Sequence, residues 1–106
     1  MMNGIPDFAL VGALIAFPAL GEDIQVLQKD RQFSKTAIVA KPGDKVVFEN
    51  ADDFTHNLIS LTPGSQFGSH MQDPGQTIAM PLKTEGEFDV QCLIHPKMKL
   101  HVVVHK

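Results

Sequence analysis

The chain has no tryptophan and no tyrosine, a single cysteine, and only 9 Lys and Arg among its 106 residues. Each shortage argues against a class of function. One cysteine cannot form an internal disulfide, so the fold must stand on packing alone. The 9 basic residues face 12 Asp and Glu, for a net charge of −3, and they form no stripe interleaved with stacking rings. Nothing in that balance provides for nucleic acid. There is no internal repeat, heptad or low-complexity tract, and no window with helical periodicity. What remains is a composition 43% hydrophobic and 20% charged, ordinary for a folded domain, in a length that suits one domain.

The start of the chain differs from the rest. Phe8 to Phe17 reads FALVGALIAF, wholly apolar or small, and is followed by Pro18 and the small-x-small run Ala19-Leu20-Gly21. This pattern predicts a signal peptide over residues 1–21, a mature domain over 22–106, and export to the periplasm or an equivalent compartment. The apolar run is too short for stable insertion across a bilayer. Its departure from the usual pattern is the lack of any Lys or Arg between Met1 and Asp7; the alternative is an apolar N-terminal strand packed on the domain. A lone thiol in an oxidising compartment needs protection, either as a metal ligand or by burial as a small hydrophobe.

From Glu22 onward, short β-rich runs alternate with turn signals. Strands are predicted over 24–28, 36–40, 45–49, 56–61, 76–82, 87–92 and 100–105. Turns are expected at Lys41-Pro42-Gly43-Asp44 and Thr62-Pro63-Gly64. In the sixth run Phe88, Val90 and Cys92 share one face and Glu87, Asp89 and Gln91 the other; in the last, Leu100, Val102 and Val104 share a face. Phe67 to Gly75 shows no strand pattern and is expected to be a long loop. The whole predicts an all-β Greek-key sandwich of about seven or eight strands.

The chemistry concentrates in one turn. Cys92-Leu93-Ile94-His95-Pro96-Lys97-Met98 offers a thiolate, an imidazole and a thioether between the last two strands, and His56 offers a second imidazole at an earlier strand start. Taken singly, each has an ordinary structural reading: a surface histidine, a core methionine, a buried cysteine. Together, two His, one Cys and a weak Met make the ligand set of a trigonal copper site. Thiolate and thioether are soft and suit Cu(I), while imidazole suits both oxidation states. Zinc also accepts Cys and His but seldom Met.

Three segments extend this into a family resemblance over about residues 24–106. Lys41-Pro42-Gly43-Asp44 with Val46-Val47-Phe48-Glu49-Asn50, the segment Asp53-Phe54-Thr55-His56-Asn57, and Gly86 to Cys92 with the loop through Met98 and Val102-Val103-Val104 together resemble the cupredoxins, in particular the amicyanin, plastocyanin and pseudoazurin group. The resemblance implies one mononuclear type 1 copper, with His56, Cys92 and His95 near a plane and Met98 axial. It also implies a backbone N–H of Asn57 donated to the thiolate. The implied function is electron transfer by a monomer that docks briefly, near His95, on a redox protein donor and acceptor. Thr55 replaces a frequent proline, and Lys97 stands where amicyanin has an aromatic residue, so the docking surface is expected to differ.

The remaining candidates are assigned plainer roles. Met80 aligns with Ile78 and Leu82 as core, His101 and His105 fall on the solvent face, and Asp52 and Asp53 are expected to be turn and surface carboxylates. His70-Met71 is the one place for a second, weaker copper site. The rival functions are a copper carrier or storage module, disfavoured by the absence of clustered Met and His, and a red-copper-like enzyme, disfavoured by the methionine in the axial position and by the lack of a second histidine set.

Overall fold

The computed structural model describes residues 21–106. The signal peptide expected over 1–21 therefore lies, apart from Gly21, outside the described residues. The described residues form nine strands: β1 Asp23–Lys29, β2 Gln32–Phe33, β3 Ala37–Ala40, β4 Lys45–Asn50, β5 Leu58–Ser60, β6 Phe67–Gly68, β7 Thr77–Pro81, β8 Gly86–Cys92 and β9 Lys99–Val104. They make a sandwich of two sheets, β2-β1-β4-β7 and β3-β9-β8-β5-β6. The pairs β1–β4 and β3–β9 are parallel and the others antiparallel.

Period-two alternation builds the core. Phe88, Val90 and Cys92 of β8 and Leu100, Val102 and Val104 of β9 all point inward and are buried. They meet Val26 of β1 and Val46 and Phe48 of β4 from the other sheet, in one contiguous cluster with Leu58, Met80 and Met98. Phe48 lies at its centre, with ring centroids 5.8 Å from Phe33 and 6.4 Å from Phe67. Each fully buried Val, Leu or Phe stabilises the fold by roughly 1.5–3 kcal/mol relative to exposure.

Two strands lie outside the seven predicted ranges, and both are two residues long. β2 returns on β1 through Asp30-Arg31, with φ of 55° and 57°. That is the geometry of a type I′ hairpin turn, but without the Asn-Gly that usually signals one. β6 lies inside the stretch expected to be a loop, which also holds an isolated bridge between Gln72 and His56 and a Pro-Gly turn closed by Gln76 N–H on the Asp73 carbonyl at 3.0 Å. The Lys41–Asp44 turn forms as expected. Gly43 takes φ 100°, the Asp44 N–H reaches the Lys41 carbonyl at 3.0 Å, and Pro42 and Gly43 stand where a type II turn wants them.

Candidate metal centre

Two polar residues facing inward organise one end of the sandwich. Asn50 continues the buried phase of Val46 and Phe48 along β4. Its Nδ2 donates to the carbonyls of Phe54 (2.9 Å) and Gln72 (3.0 Å), and its Oδ1 accepts the Asp52 N–H (2.9 Å). Gln72 in turn donates to the carbonyls of Phe48 (3.1 Å) and Gln76 (2.9 Å). The segment 51–57 is thus tied down by side chains where no strand ladder reaches it. This fixes His56, which exchanges both main-chain hydrogen bonds with Gln72 at 3.0 and 2.8 Å. His56 stands just before β5 as a single bridge rather than in the strand itself.

The second half of the site comes from the β8–β9 turn. Cys92 ends β8 on its buried phase. The turn is closed by Met98 N–H on the His95 carbonyl (2.9 Å) and Cys92 N–H on the Met98 carbonyl (3.2 Å), and Leu93 N–H reaches across to the Asn57 carbonyl (2.8 Å). His56 and Cys92 are fully buried, Met98 is 2% exposed as part of the core, and His95 is partly exposed.

Three of the four sequence-predicted donors, those of His56, Cys92 and His95, converge. Cys92 Sγ lies 3.6 Å from His56 Nδ1 and 3.8 Å from His95 Nδ1, and the three atoms lie within 4.8 Å of one another. Donors at bond lengths of roughly 2.0–2.3 Å from one shared ion, spread at trigonal angles, would stand about 3.6 Å apart, so the spacing fits a single metal. The Asn57 N–H points at the sulfur from 3.5 Å, as the resemblance implies. Among the described residues this is the one group of three or more His, Cys, Asp or Glu side chains so placed. His70 and Met71 are both exposed, and the Met71 sulfur accepts from Asn57 Nδ2 at 3.7 Å.

One expectation is corrected here. Asp52 is no surface carboxylate: it is 5% exposed, and its Oδ2 accepts from His56 Nε2 at 2.8 Å. Asp53 is exposed, as expected. Because a carboxylate can only accept, Nε2 carries the imidazole proton and the Nδ1 lone pair is left facing the sulfur. Asp52 also accepts the main-chain N–H groups of Asp30 (2.6 Å) and Arg31 (3.3 Å), which joins the β1–β2 turn to the site. Burial opposes ionisation of Asp52. The hydrogen bond from His56 and those from Asp30 and Arg31 outweigh it and hold the carboxyl below its ordinary range. His95 is held below the usual imidazole value, first by burial and then by its neighbours His56 and Arg31, which favours the neutral form that ligation needs.

Phe54 was also missed by sequence reasoning. Its ring centroid lies 5.4 Å from those of both His56 and His95, which are 5.2 Å from each other, all edge-on. The available signal was inward polarity in strand phase: Asn50 follows Val46 and Phe48, and Gln28 follows Val26. Buried polar residues at one end of two neighbouring strands mark the end that holds a site.

Comparison with known proteins agrees with this geometry. The family model described as copper binding proteins, plastocyanin/azurin family, matches residues 22–105. The methylamine utilization protein MauL of Methylophilus methylotrophus is 30% identical over 79 residues, covering 72% of this chain and 45% of that protein. The MauL of Methylorubrum extorquens is 30% identical over 86 residues, covering 80% and 75%. The chain thus spans less than half the length of the first relative. The fold is similar to that of a Cu(I) amicyanin mutant, with a TM-score of 0.71 at 23% identity over 88% of each chain.

Proposed function

The chain belongs to the plastocyanin/azurin family of copper binding proteins, and from that membership we propose that it is a small blue-copper electron-transfer protein whose single copper would be held by His56 Nδ1, Cys92 Sγ and His95 Nδ1, with Met98 as a fourth, weaker ligand. The observation that carries the reading is the convergence of those three donor atoms within 4.8 Å from two distant parts of the chain. Copper bound there supplies a one-electron Cu(I)/Cu(II) couple.

The protein's own contribution is rigidity and exclusion of water. Asp52 fixes the tautomer and direction of His56, the Asn57 N–H steadies the thiolate, and the Asn50–Gln72 network holds the loop between them. A ligand cage that moves little on redox keeps the reorganisation small. His95 is the partly exposed ligand, so its ring edge is the route for the electron. In the same turn Leu93 and Ile94 are exposed apolar residues and Lys97 is an exposed cation, with Lys99 exposed at the start of β9. That surface suits brief docking on a redox protein donor and acceptor with an acidic or mixed rim. We assign the protein to an exported, periplasmic setting, acting as a monomer.

The reading is of a carrier of electrons rather than an enzyme. Among the described residues, a surface depression of about 510 Å³ is lined by residues such as Ile24, Val39 and His105 at the far end of the strands, and no site residue lines it. Voltammetry of the copper-loaded protein tests the proposal. A reversible one-electron wave, stable over repeated cycles in the presence of a Cu(I) chelator, is the expected result. Loss of the wave to the chelator after the first reduction would mean copper carriage instead.

A further inference from the structure

Arg31 occupies a costly position. It is the second residue of the β1–β2 turn, at φ 57°, after Asp30 at φ 55°. Side chains other than Gly, Asn or Asp are uncommon in this region, and a non-Gly residue held there is strained. Glycine would take the same conformation without strain. An arginine kept in a place that favours glycine calls for a use of its side chain. Among the described residues its guanidinium has no carboxylate partner within ion-pair distance. It lies instead over the ring of Phe54, with Cζ 4.9 Å from the centroid. Phe54 in turn leans on both imidazoles of the site, 5.4 Å from each.

We infer that Arg31 is a positioning residue of the metal site: its guanidinium holds the Phe54 ring against the His56 and His95 imidazoles and places a fixed positive charge over that ring, which favours the reduced state of a metal held by the two histidines. The inference rests on the copper reading above. The physics has two parts. A planar guanidinium stacks on an aromatic face and is attracted to the ring quadrupole, so it restrains the ring. The oxidised site carries one more positive charge than the reduced site, so a nearby cation destabilises the oxidised form more. Asp52 works in the opposite sense, because its carboxylate meets His56 directly. Asp52 also accepts the Arg31 main-chain N–H, but that bond belongs to the backbone and survives any change of the side chain.

Arg31→Gly separates the two roles of this residue, because the turn keeps or improves its conformational fit while the side chain is lost. The variant is expected to unfold at or above the wild-type temperature, to keep the charge-transfer colour, and to have a lower midpoint potential. The difference in potential should narrow as salt rises from about 10 mM to 1 M, as for any exposed charge. Arg31→Lys should keep most of the potential but hold the ring less well. In the metal-free proteins, the NMR signals of the Phe54 ring should show faster ring flipping in both variants than in wild type. An Arg31→Gly protein with wild-type colour, wild-type potential at low salt and unchanged Phe54 signals would overturn the inference. A wild-type protein that never takes up copper would instead defeat the copper reading, and the metal-free ring measurement would still decide whether Arg31 positions Phe54.

Discussion

At the scale of single residues, the site depends on groups that do not themselves bind metal. Asp52 is the main one, since it completes three hydrogen bonds in a buried place: to His56 and to the main chain of Asp30 and Arg31. Asp52→Ala leaves those donors without an acceptor. The expected result is a loss of about 1–3 kcal/mol in denaturant unfolding of the metal-free protein. Copper affinity in a competitive chelator titration should also fall by roughly 10- to 100-fold, because His56 loses its orienting partner. His101 gives a pH signature far from the metal. Its Nδ1 meets Asp89 at 2.8 Å and its Nε2 meets Glu87 at 2.9 Å on the outer face of β8 and β9. The Asp89 hydrogen bond first, and then that of Glu87, raise its pKa above the ordinary histidine value. A raised folded pKa means that the stabilisation is complete below the unfolded value and is lost as pH rises through the folded one. Thermal unfolding should therefore show wild type exceeding His101→Gln near pH 5.5 and matching it near pH 8.5.

At the scale of elements, strand alternation is what places the ligands, and the same substitution at two positions exposes it. Val90 on β8 is fully buried and Val39 on β3 is 68% exposed. Val90→Ala should cost about 2 kcal/mol in chemical denaturation, whereas Val39→Ala should stay within about 0.5 kcal/mol. This dependence on alternation is also why so much of the fold was legible. Seven strands, the Lys41–Asp44 turn and the inward direction of Cys92 follow from period two and from Pro-Gly chemistry. The proposed donor set stands out in the sequence because Cys, His and Met at fixed spacing in one turn have few other reasons to occur together. β2 and β6 escaped because two residues carry no period, and because Asp30-Arg31 lacks the glycine that marks such a turn. Asp52, Phe54 and Arg31 escaped for a different reason. Their roles arise only when segment 51–57 meets the β1–β2 turn in space, and no local pattern records that meeting.

At the scale of the whole molecule, the two sheets form a frame with a metal-ready end and an opposite end with no part in the chemistry. Metal that binds the folded but not the unfolded chain must stabilise the frame by mass action, by about 4 kcal/mol when the free metal is 1,000 times its Kd. Calorimetry should show the unfolding temperature rising on addition of copper and returning on chelation. The central claim, that His56, Cys92, His95 and Met98 make a blue-copper site, is tested most directly by the visible absorption spectrum after one equivalent of Cu(II) is added to the purified protein. The account predicts an intense blue thiolate-to-copper charge-transfer band that bleaches with ascorbate, returns with an oxidant and is absent in Cys92→Ser. A colourless protein that leaves the copper free in solution would contradict it.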